Sequence, residues 1–202
     1  VALDDKGNLY AWGNNFGGQS VAPSLKNGGT KFAFTSAGIY FSMALDDKGN
    51  TYGWGLSDAG QNSIPDIFHF VTPTMPIAAG GFQAYGIHED GHIEKFDMSN
   101  VGYGVPVEGS FTSVAAGLQH ALAITSSGTV VAWGEGMAGQ TSIPEGLTNV
   151  VQVVAGYAYS AALQSDGSVV EWGSHLSSGG KLINKPDNLP AMKALAGGLT
   201  HI

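Results

Sequence analysis

The residues best suited to metal chemistry are two histidines, His88 and His92, on either side of one predicted turn. Glu89, Asp90 and Glu94 lie beside them in the sequence. Two imidazoles across a hairpin are a donor set that suits Zn²⁺ or another divalent ion. This is the one segment whose residue types and spacing suggest a metal site.

Other segments with the same turn spacing argue against that interpretation. At the two histidine positions they carry Asp46 with Asn50, and Thr125 with Thr129, which are residues of ordinary solvated turns. Third and fourth ligands are not evident, and the acidic residues at other tips lack the alternating spacing of an EF-hand loop. We therefore predict no metal and no cofactor.

No pattern in the chain predicts catalysis. The sequence contains no Gly-x-Ser-x-Gly elbow, Walker loop or His-Glu-x-x-His motif. His120 and His201 share an offset, three residues after a glycine, where Phe41 and Tyr159 stand elsewhere. A histidine there can bond to the backbone of a neighbouring strand or face a ligand. We expect a protein that is not an enzyme.

A repeat of about 40 residues organises the whole chain. Each copy has a glycine followed five positions later by an aromatic residue, with successive spacings of 42, 42, 37 and 39. This period, with short strands, is typical of β-propeller blades and not of helical solenoids. We predict that the aromatic residues pack between blades as structural core. They are Trp12, Trp54, Phe96, Trp133 and Trp172.

Within a repeat the local signals predict antiparallel strands. Residues 120–124 and 130–133 are short apolar runs separated by Thr-Ser-Ser-Gly, which indicates a hairpin. A further strand precedes each hairpin, as in residues 151–155, and no segment has a helical period. The predicted fold class is therefore all-β, a propeller of about five short blades.

Residue identities add a family resemblance. Gln19 and Pro23, Gln61 and Pro65, and Gln140 and Pro144 keep the same offsets after a Trp-Gly pair. With the Ala-Gly pair before each hairpin, this pattern resembles the regulator-of-chromosome-condensation repeat family. The repeat style is most similar to the branch containing the propeller-type β-lactamase inhibitor. The resemblance implies a propeller, usually of seven blades, and leaves function open because one scaffold serves unrelated tasks.

The repeat boundaries predict a single propeller domain over residues 1–202. Residues 196–202 align in register with the missing front of the first repeat, so we expect the two terminal segments to share one blade and close the ring. An integer number of repeats from a longer array is the alternative. The predicted blade units are 192–202 with 1–31, then 32–75, 76–110, 111–149 and 150–191.

Composition excludes several function classes. The net charge is −8, all eight cations are lysine, and arginine is absent, which argues against nucleic-acid binding. No apolar run reaches a membrane-spanning length, so no membrane insertion is expected. The absence of cysteine excludes disulfides and thiolate chemistry and fits both a cytosolic and a secreted protein.

Two segments of each repeat, after the Ala-Gly pair and after the Trp-Gly pair, should lie at one rim. Aromatic residues and methionine at such positions suit a protein interface, although inward packing between blades is an equal alternative. The candidate rim residues are Phe16, Tyr40, Phe41, Phe82, His120, Met137, Tyr157, Tyr159, His175 and His201.

These features favour a binding module that docks a protein partner as adaptor or inhibitor, and we expect a monomer. The alternative is a lectin, because similar pockets around a ring suit multivalent glycan binding. A lectin would repeat one constellation in several blades, whereas the segments after Trp-Gly differ chemically. Guanine-nucleotide exchange rests on family analogy alone.

Overall fold

The computed structural model describes residues 1–56, 76–96, 104–105, 108–174 and 190–195. These residues form fourteen β-strands in five sheets and contain no helix. Accordingly, none of them belongs to a helix long and apolar enough to span a membrane. The chain divides into two compact units, Val1–Val101 (unit 1) and Gly102–Ile202 (unit 2).

Unit 1 holds one two-stranded and two three-stranded sheets, all antiparallel between neighbours in sequence. The sheets have the orders β1-β2, β3-β4-β5 and β6-β7-β8. The strands are β1 (Ala2–Leu3), β2 (Leu9–Tyr10), β3 (Phe32–Ala37), β4 (Phe41–Asp46), β5 (Thr51–Gly55), β6 (Ile77–Ala79), β7 (Ala84–Ile87) and β8 (Ile93–Lys95).

Unit 2 holds two three-stranded antiparallel sheets with the orders β9-β10-β11 and β12-β13-β14. Each of the four three-stranded sheets lies within one predicted blade unit, and the predicted all-β class is confirmed for the described residues. The strands are β9 (Phe111–Ala116), β10 (His120–Thr125), β11 (Val130–Gly134), β12 (Val150–Ala155), β13 (Tyr159–Gln164) and β14 (Val169–Gly173).

The middle strand of each three-stranded sheet is its most buried element. Every residue of β4 and β7 is buried, and only the last residue of β10 and of β13 is partly exposed. Both faces of these strands are therefore covered, which explains why they are continuous apolar runs rather than alternating ones. The core of unit 1 includes Met43, Leu45 and Ile77, and that of unit 2 includes Leu122 and Val153.

The hairpin tips follow the predicted glycine pattern. Gly49 and Gly128 both adopt φ of 79°, in the left-handed region that glycine enters without strain. Their amides donate to the carbonyls of Asp46 and Thr125, at 3.1 and 2.9 Å, and thereby close the turns. The register of each hairpin follows from this turn.

A tryptophan side chain links one sheet to the loop before it in each unit. In unit 1 the indole Nε1 of Trp54 donates to the Gln19 carbonyl at 3.0 Å, and the Ser42 hydroxyl donates to the same oxygen at 3.3 Å. In unit 2 Trp172 and Ser160 donate to the Gln140 carbonyl, each at 2.8 Å. The repeated glutamine thus marks a carbonyl that joins consecutive repeats.

Burial matches the predicted core for four of the five repeated aromatic residues. Trp54, Phe96, Trp133 and Trp172 are buried. The prediction is wrong for Trp12, which is 66% exposed. Strand β2 ends before this residue, whereas the strands of the other tryptophans include them, and among the described residues of unit 1 no earlier sheet covers the ring.

The predicted closure of the ring by the two terminal segments depends on residues 196–202, which lie outside the described residues. The assignment of residues 1–202 to a single domain likewise stays a prediction.

Candidate functional site

The two segments predicted at one rim do lie at the same end of each sheet. The amide of Leu56, after Trp-Gly, donates to the carbonyl of Tyr40, after Ala-Gly, at 2.8 Å. Glu135 donates to Gln119 in the same way at 2.9 Å. We call this end of the sheets, carrying residues 13–19, 38–40 and 80–82 in unit 1 and residues 117–119, 135–141 and 156–158 in unit 2, the rim of each unit.

Each rim carries one nearly fully exposed apolar side chain at the same loop position. Phe16 in unit 1 is 89% exposed, and Met137 in unit 2 is 96% exposed. Tyr40 and Phe82 in unit 1 and Tyr157 in unit 2 are each 41% exposed. The rims therefore present large apolar groups to solvent.

Side chains of the same loops fix the backbone below Phe16 and Met137. The amide of Phe16 donates to Asn14 Oδ1 at 2.9 Å, and Gly17 donates to Gln19 Oε1 at 2.8 Å. In unit 2 Met137 donates to Glu135 Oε1 at 2.7 Å, and Ala138 donates to Gln140 Oε1 at 3.0 Å. The two loops thus share one hydrogen-bonded conformation although their sequences differ.

Three predicted rim residues are not at the surface. Phe41, His120 and Tyr159 are fully buried as the first residues of middle strands. Each ring packs under a glycine of the preceding turn: a Cβ at Gly117 would lie 2.5 Å from the His120 ring, and one at Gly156 would overlap the Tyr159 ring. These residues cannot contact a partner at the rim and are structural.

His120 belongs to the hydrogen-bond network that joins the two sheets of unit 2. Its Nε2 lies 3.0 Å from the Ser160 hydroxyl, which in turn donates to the Gln140 carbonyl. Burial lowers the pKa of His120 from its ordinary value of 6.5 to about 4, against the opposing effects of the Tyr159 backbone and Glu135. His120 is therefore neutral in the folded protein at neutral pH.

The depressed pKa of His120 predicts a loss of stability in acid. Unfolded His120 gains a proton below about pH 6.5 whereas the folded residue does not, so its contribution is complete above pH 6.5 and is lost as the pH falls through about 4. The free energy of unfolding should fall by on the order of 2 to 3 kcal/mol from this group. Urea unfolding at pH 7.5 and 4.5 measures this change.

His120→Gln is the matched variant for that measurement, because Gln83 occupies the equivalent position in unit 1 and is buried there. The variant should have a flatter dependence of stability on pH than the parent protein. An unchanged difference between pH 7.5 and 4.5 would contradict the assignment of the effect to His120.

The hairpin tips, at the opposite end of the sheets, hold a second cluster. His88 Nε2 lies 2.6 Å from Glu94 Oε2, and His92 Nδ1 lies 2.5 Å from Asp90 Oδ1. The two imidazole rings stack with centroids 4.0 Å apart and planes 11° apart. The sequence analysis placed Glu94 beside the two histidines but did not predict its contact with His88. The repeat could have predicted this contact. Glu94 follows His88 by six residues, as Tyr52 follows Asp46, and the Tyr52 hydroxyl bonds to the Asp46 carboxylate.

His175 and His201, the remaining candidate rim residues, lie outside the described residues.

The rim loop of unit 2 belongs to a segment with a known family pattern. Residues 111–140, which include β9, β10, β11 and this loop, match the family model of the Regulator of chromosome condensation (RCC1) repeat. Among solved structures, Prp20p from Saccharomyces cerevisiae is 15% identical with a TM-score of 0.60. The match covers 75% of this chain and 47% of the Prp20p chain. The chain therefore contains an RCC1-type repeat, and its fold is that of a β-propeller, as predicted.

Two receptor-kinase ectodomains are similar to this chain as well. The CRINKLY WD40 ectodomain of the receptor kinase ACR4 from Arabidopsis thaliana is 27% identical with a TM-score of 0.58. The match covers 69% of this chain and 49% of the ACR4 chain. The entire ectodomain of the receptor kinase CR4 from Physcomitrella patens is 24% identical with a TM-score of 0.72. The match covers 96% of this chain and 51% of the CR4 chain. The chain spans about half the length of these structures. No curated protein sequence matches it significantly.

Proposed function

We propose that this chain, which has an RCC1-type repeat, is a non-catalytic module that binds a protein partner through the rims of its units. The observation that carries the proposal is the pair Phe16 and Met137, which occupy the same loop position and are 89% and 96% exposed. Large apolar side chains cost free energy in water, and aromatic residues and methionine are enriched at protein interfaces.

The rim loops are ordered before any partner binds. Asn14 and Gln19 accept amide hydrogen bonds on both sides of the Phe16 position, and Glu135 and Gln140 do the same around Met137. A loop already fixed in one conformation loses little entropy on association. Phe16 and Met137 therefore have the properties of interface anchors, since each offers apolar area at low ordering cost.

Chemical differences between the two rims favour a protein over a glycan. The side chain that accepts the first loop hydrogen bond is asparagine in one unit and glutamate in the other, and the tip is phenylalanine in one and methionine in the other. A multivalent lectin would repeat one set of groups in several blades, whereas an asymmetric protein surface contacts each loop differently. The net charge of −8 favours a partner with a basic surface, since opposite charge accelerates association.

The similar structures are consistent with this role. Prp20p has binding properties toward Gsp1p and histones, and two other similar structures are receptor ectodomains. A protein-interaction role for the present chain rests on its own exposed rim residues, with these proteins as supporting analogy.

Truncation of the rim anchors should weaken binding without affecting the fold. We expect Phe16→Ala and Met137→Ala each to weaken partner binding about 10-fold or more, because hot-spot residues typically contribute about 2 kcal/mol or more and about 1.4 kcal/mol is tenfold. Both side chains are almost fully exposed, so the midpoint of thermal unfolding should not change. The partner is captured from extracts with immobilised protein, and its affinity for the purified variants is measured by calorimetry.

Val151→Ala is the matched control. Val151 is 56% exposed and lies near the start of β12, at the end of the sheet away from the rim. The Val151→Ala variant should bind the partner with the same affinity as the parent protein. Equal binding by all three variants would overturn the rim as the binding surface. A glycan array run beside the capture experiment would support a lectin instead if a related set of sugars bound and Phe16→Ala weakened them.

A further inference from the structure

We propose that the tip of the β7–β8 hairpin is a binding site for a divalent transition-metal ion of the Zn²⁺ type, with His88, His92 and Glu94 as ligands. The donor atoms of these three side chains all lie within 4.8 Å of one another. The site is at the end of the sheet opposite the rim and is independent of the proposed protein-binding role.

Each hairpin tip brings together three side chains, which are those of its first residue and of the residues four and six positions later. At the β4–β5 tip these are Asp46, Asn50 and Tyr52, and Asp46 Oδ2 accepts from Asn50 Nδ2 and Tyr52 OH, both at 2.7 Å. At the β1–β2 tip Asp4 Oδ2 accepts from the equivalent asparagine at 2.7 Å and from the equivalent tyrosine at 3.1 Å. Convergence of these positions is therefore a property of the turn and not of particular residues.

At the β7–β8 tip the same three positions hold metal-binding residue types. Two imidazoles and one carboxylate replace the aspartate, asparagine and tyrosine of the other tips. A set of two nitrogen ligands and one oxygen ligand suits Zn²⁺ and neighbouring transition metals better than Ca²⁺ or Mg²⁺, which prefer oxygen ligands. The equivalent residues in unit 2, Thr125 with Thr129 and Gln164 with Ser168, bond to each other and offer no such set.

The distances are compatible with an ion between the three side chains. Zn²⁺ binds nitrogen and oxygen ligands at about 2.0–2.2 Å, so donor atoms around it stand about 3 to 3.6 Å apart. His88 Nε2 and Glu94 Oε2 are 2.6 Å apart, and a separation larger by about 1 Å or less would admit the ion. Such a change requires only side-chain rotation, because all three residues are partly or fully exposed.

Asp90 completes the arrangement in the way that carboxylates support histidine ligands. It lies 2.5 Å from His92 Nδ1, which leaves Nε2 of that ring as the ligand atom. Glu89 adds a further negative charge on the same turn. Three protein ligands leave one position for water or for a group from another molecule.

Titration of the purified chain with Zn²⁺, followed by calorimetry, tests the proposal, and Co²⁺ absorption in the visible range reports the coordination. We expect about one ion bound per chain at the hairpin tip, with the bands of a four-coordinate Co²⁺ site. His88→Gln and His92→Gln should each abolish this binding. Asp90→Asn should weaken it about 10-fold while leaving the ligands in place.

Glu94→Gln and Glu89→Gln form the matched pair, because both remove one negative charge from the same hairpin and only Glu94 belongs to the cluster. We expect the Glu94 variant to lose about 10-fold or more in affinity and the Glu89 variant to bind as the parent does. Equal affinities of these two variants, no binding by the parent, or Zn²⁺ binding that survives both histidine substitutions would each overturn the proposal. Circular dichroism of the glutamate variants confirms that losses do not come from unfolding.

Discussion

Trp54→Ala is expected to destabilise the protein by about 3 to 5 kcal/mol, the usual cost of deleting a buried tryptophan. Trp54 packs with Phe32, Ala44 and Tyr52, and its indole bonds to the Gln19 carbonyl. The substitution removes both contributions, because it leaves a cavity between the strands and takes a donor from a part-buried carbonyl. Chemical unfolding of parent and variant, followed by circular dichroism, gives the difference in free energy.

Trp12→Ala is the control for that measurement, since it makes the same change at the equivalent position in the same unit. Trp12 is 66% exposed, so the expected cost is below about 1 kcal/mol. Trp54→Phe separates the two contributions by keeping an apolar ring without the N–H, and about 1 kcal/mol is expected from the lost hydrogen bond. Equal effects of the two alanine variants would show that the repeat position, and not burial, determines the role of the tryptophan.

Asp46→Ala is expected to cost about 3 to 4 kcal/mol, because removing the carboxylate leaves two buried side-chain donors without this acceptor, at about 1 to 3 kcal/mol each. The buried carboxylate accepts from the amides of Lys48 and Asn50 at 2.8 and 2.9 Å and from the side chains of Asn50 and Tyr52, both at 2.7 Å. Burial also raises the pKa of Tyr52 to about 12, so the phenol stays a donor over the ordinary pH range.

Asp4→Ala repeats this change at a tip where the carboxylate accepts the same four hydrogen bonds but its partners are exposed. Asp4 accepts from the amides of Lys6 and Asn8 and from the side chains of Asn8 and Tyr10, at 2.7 to 3.1 Å, which is the same set of bonds. Asn8 and Tyr10 are exposed, and water replaces the lost acceptor, so we expect under about 1 kcal/mol. Chemical unfolding of both variants measures the two losses in free energy of unfolding. A loss for Asp4→Ala as large as that for Asp46→Ala would contradict the role of burial.

The periodic features of the fold could be read from the sequence because they repeat. The Gly-to-aromatic spacing placed the hairpins and gave one sheet per repeat, and the Ala-Gly and Trp-Gly pairs marked segments that the hydrogen bond from Leu56 to Tyr40 indeed joins. Each of these signals depends on backbone conformation, which the turn glycines and the strand runs specify locally.

Side-chain direction could not be read in this way. Tyr40 and Phe41 are neighbours in the sequence, yet the first is 41% exposed and the second is fully buried. The tight approach of Gly38 to the Phe41 ring decides this, since a Cβ on Gly38 would lie 2.7 Å from that ring and would overlap the Gly80 carbonyl. The contact of Gly38 with Gly80 joins two different sheets, and no local pattern encodes it.

Glu94 was named beside the histidines, but its contact with His88 could not be predicted, for a related reason. The two residues face each other across a hairpin, and this proximity depends on the register of β7 with β8, where Ile87 pairs with Ile93. Once the register is known, the same relation is visible at the tips of Asp4 and Asp46.

The rim loop separates two kinds of evolutionary constraint. In unit 1 one short segment holds both Gln19, whose carbonyl receives the Trp54 indole, and Phe16, whose side chain faces solvent. Substitution at position 16 or 137 leaves the carbonyl contacts of the glutamines three residues later in place. Under the proposed function, selection by a partner would act on the exposed positions and selection for blade stability on the glutamines, so the two act on separate residues of one loop.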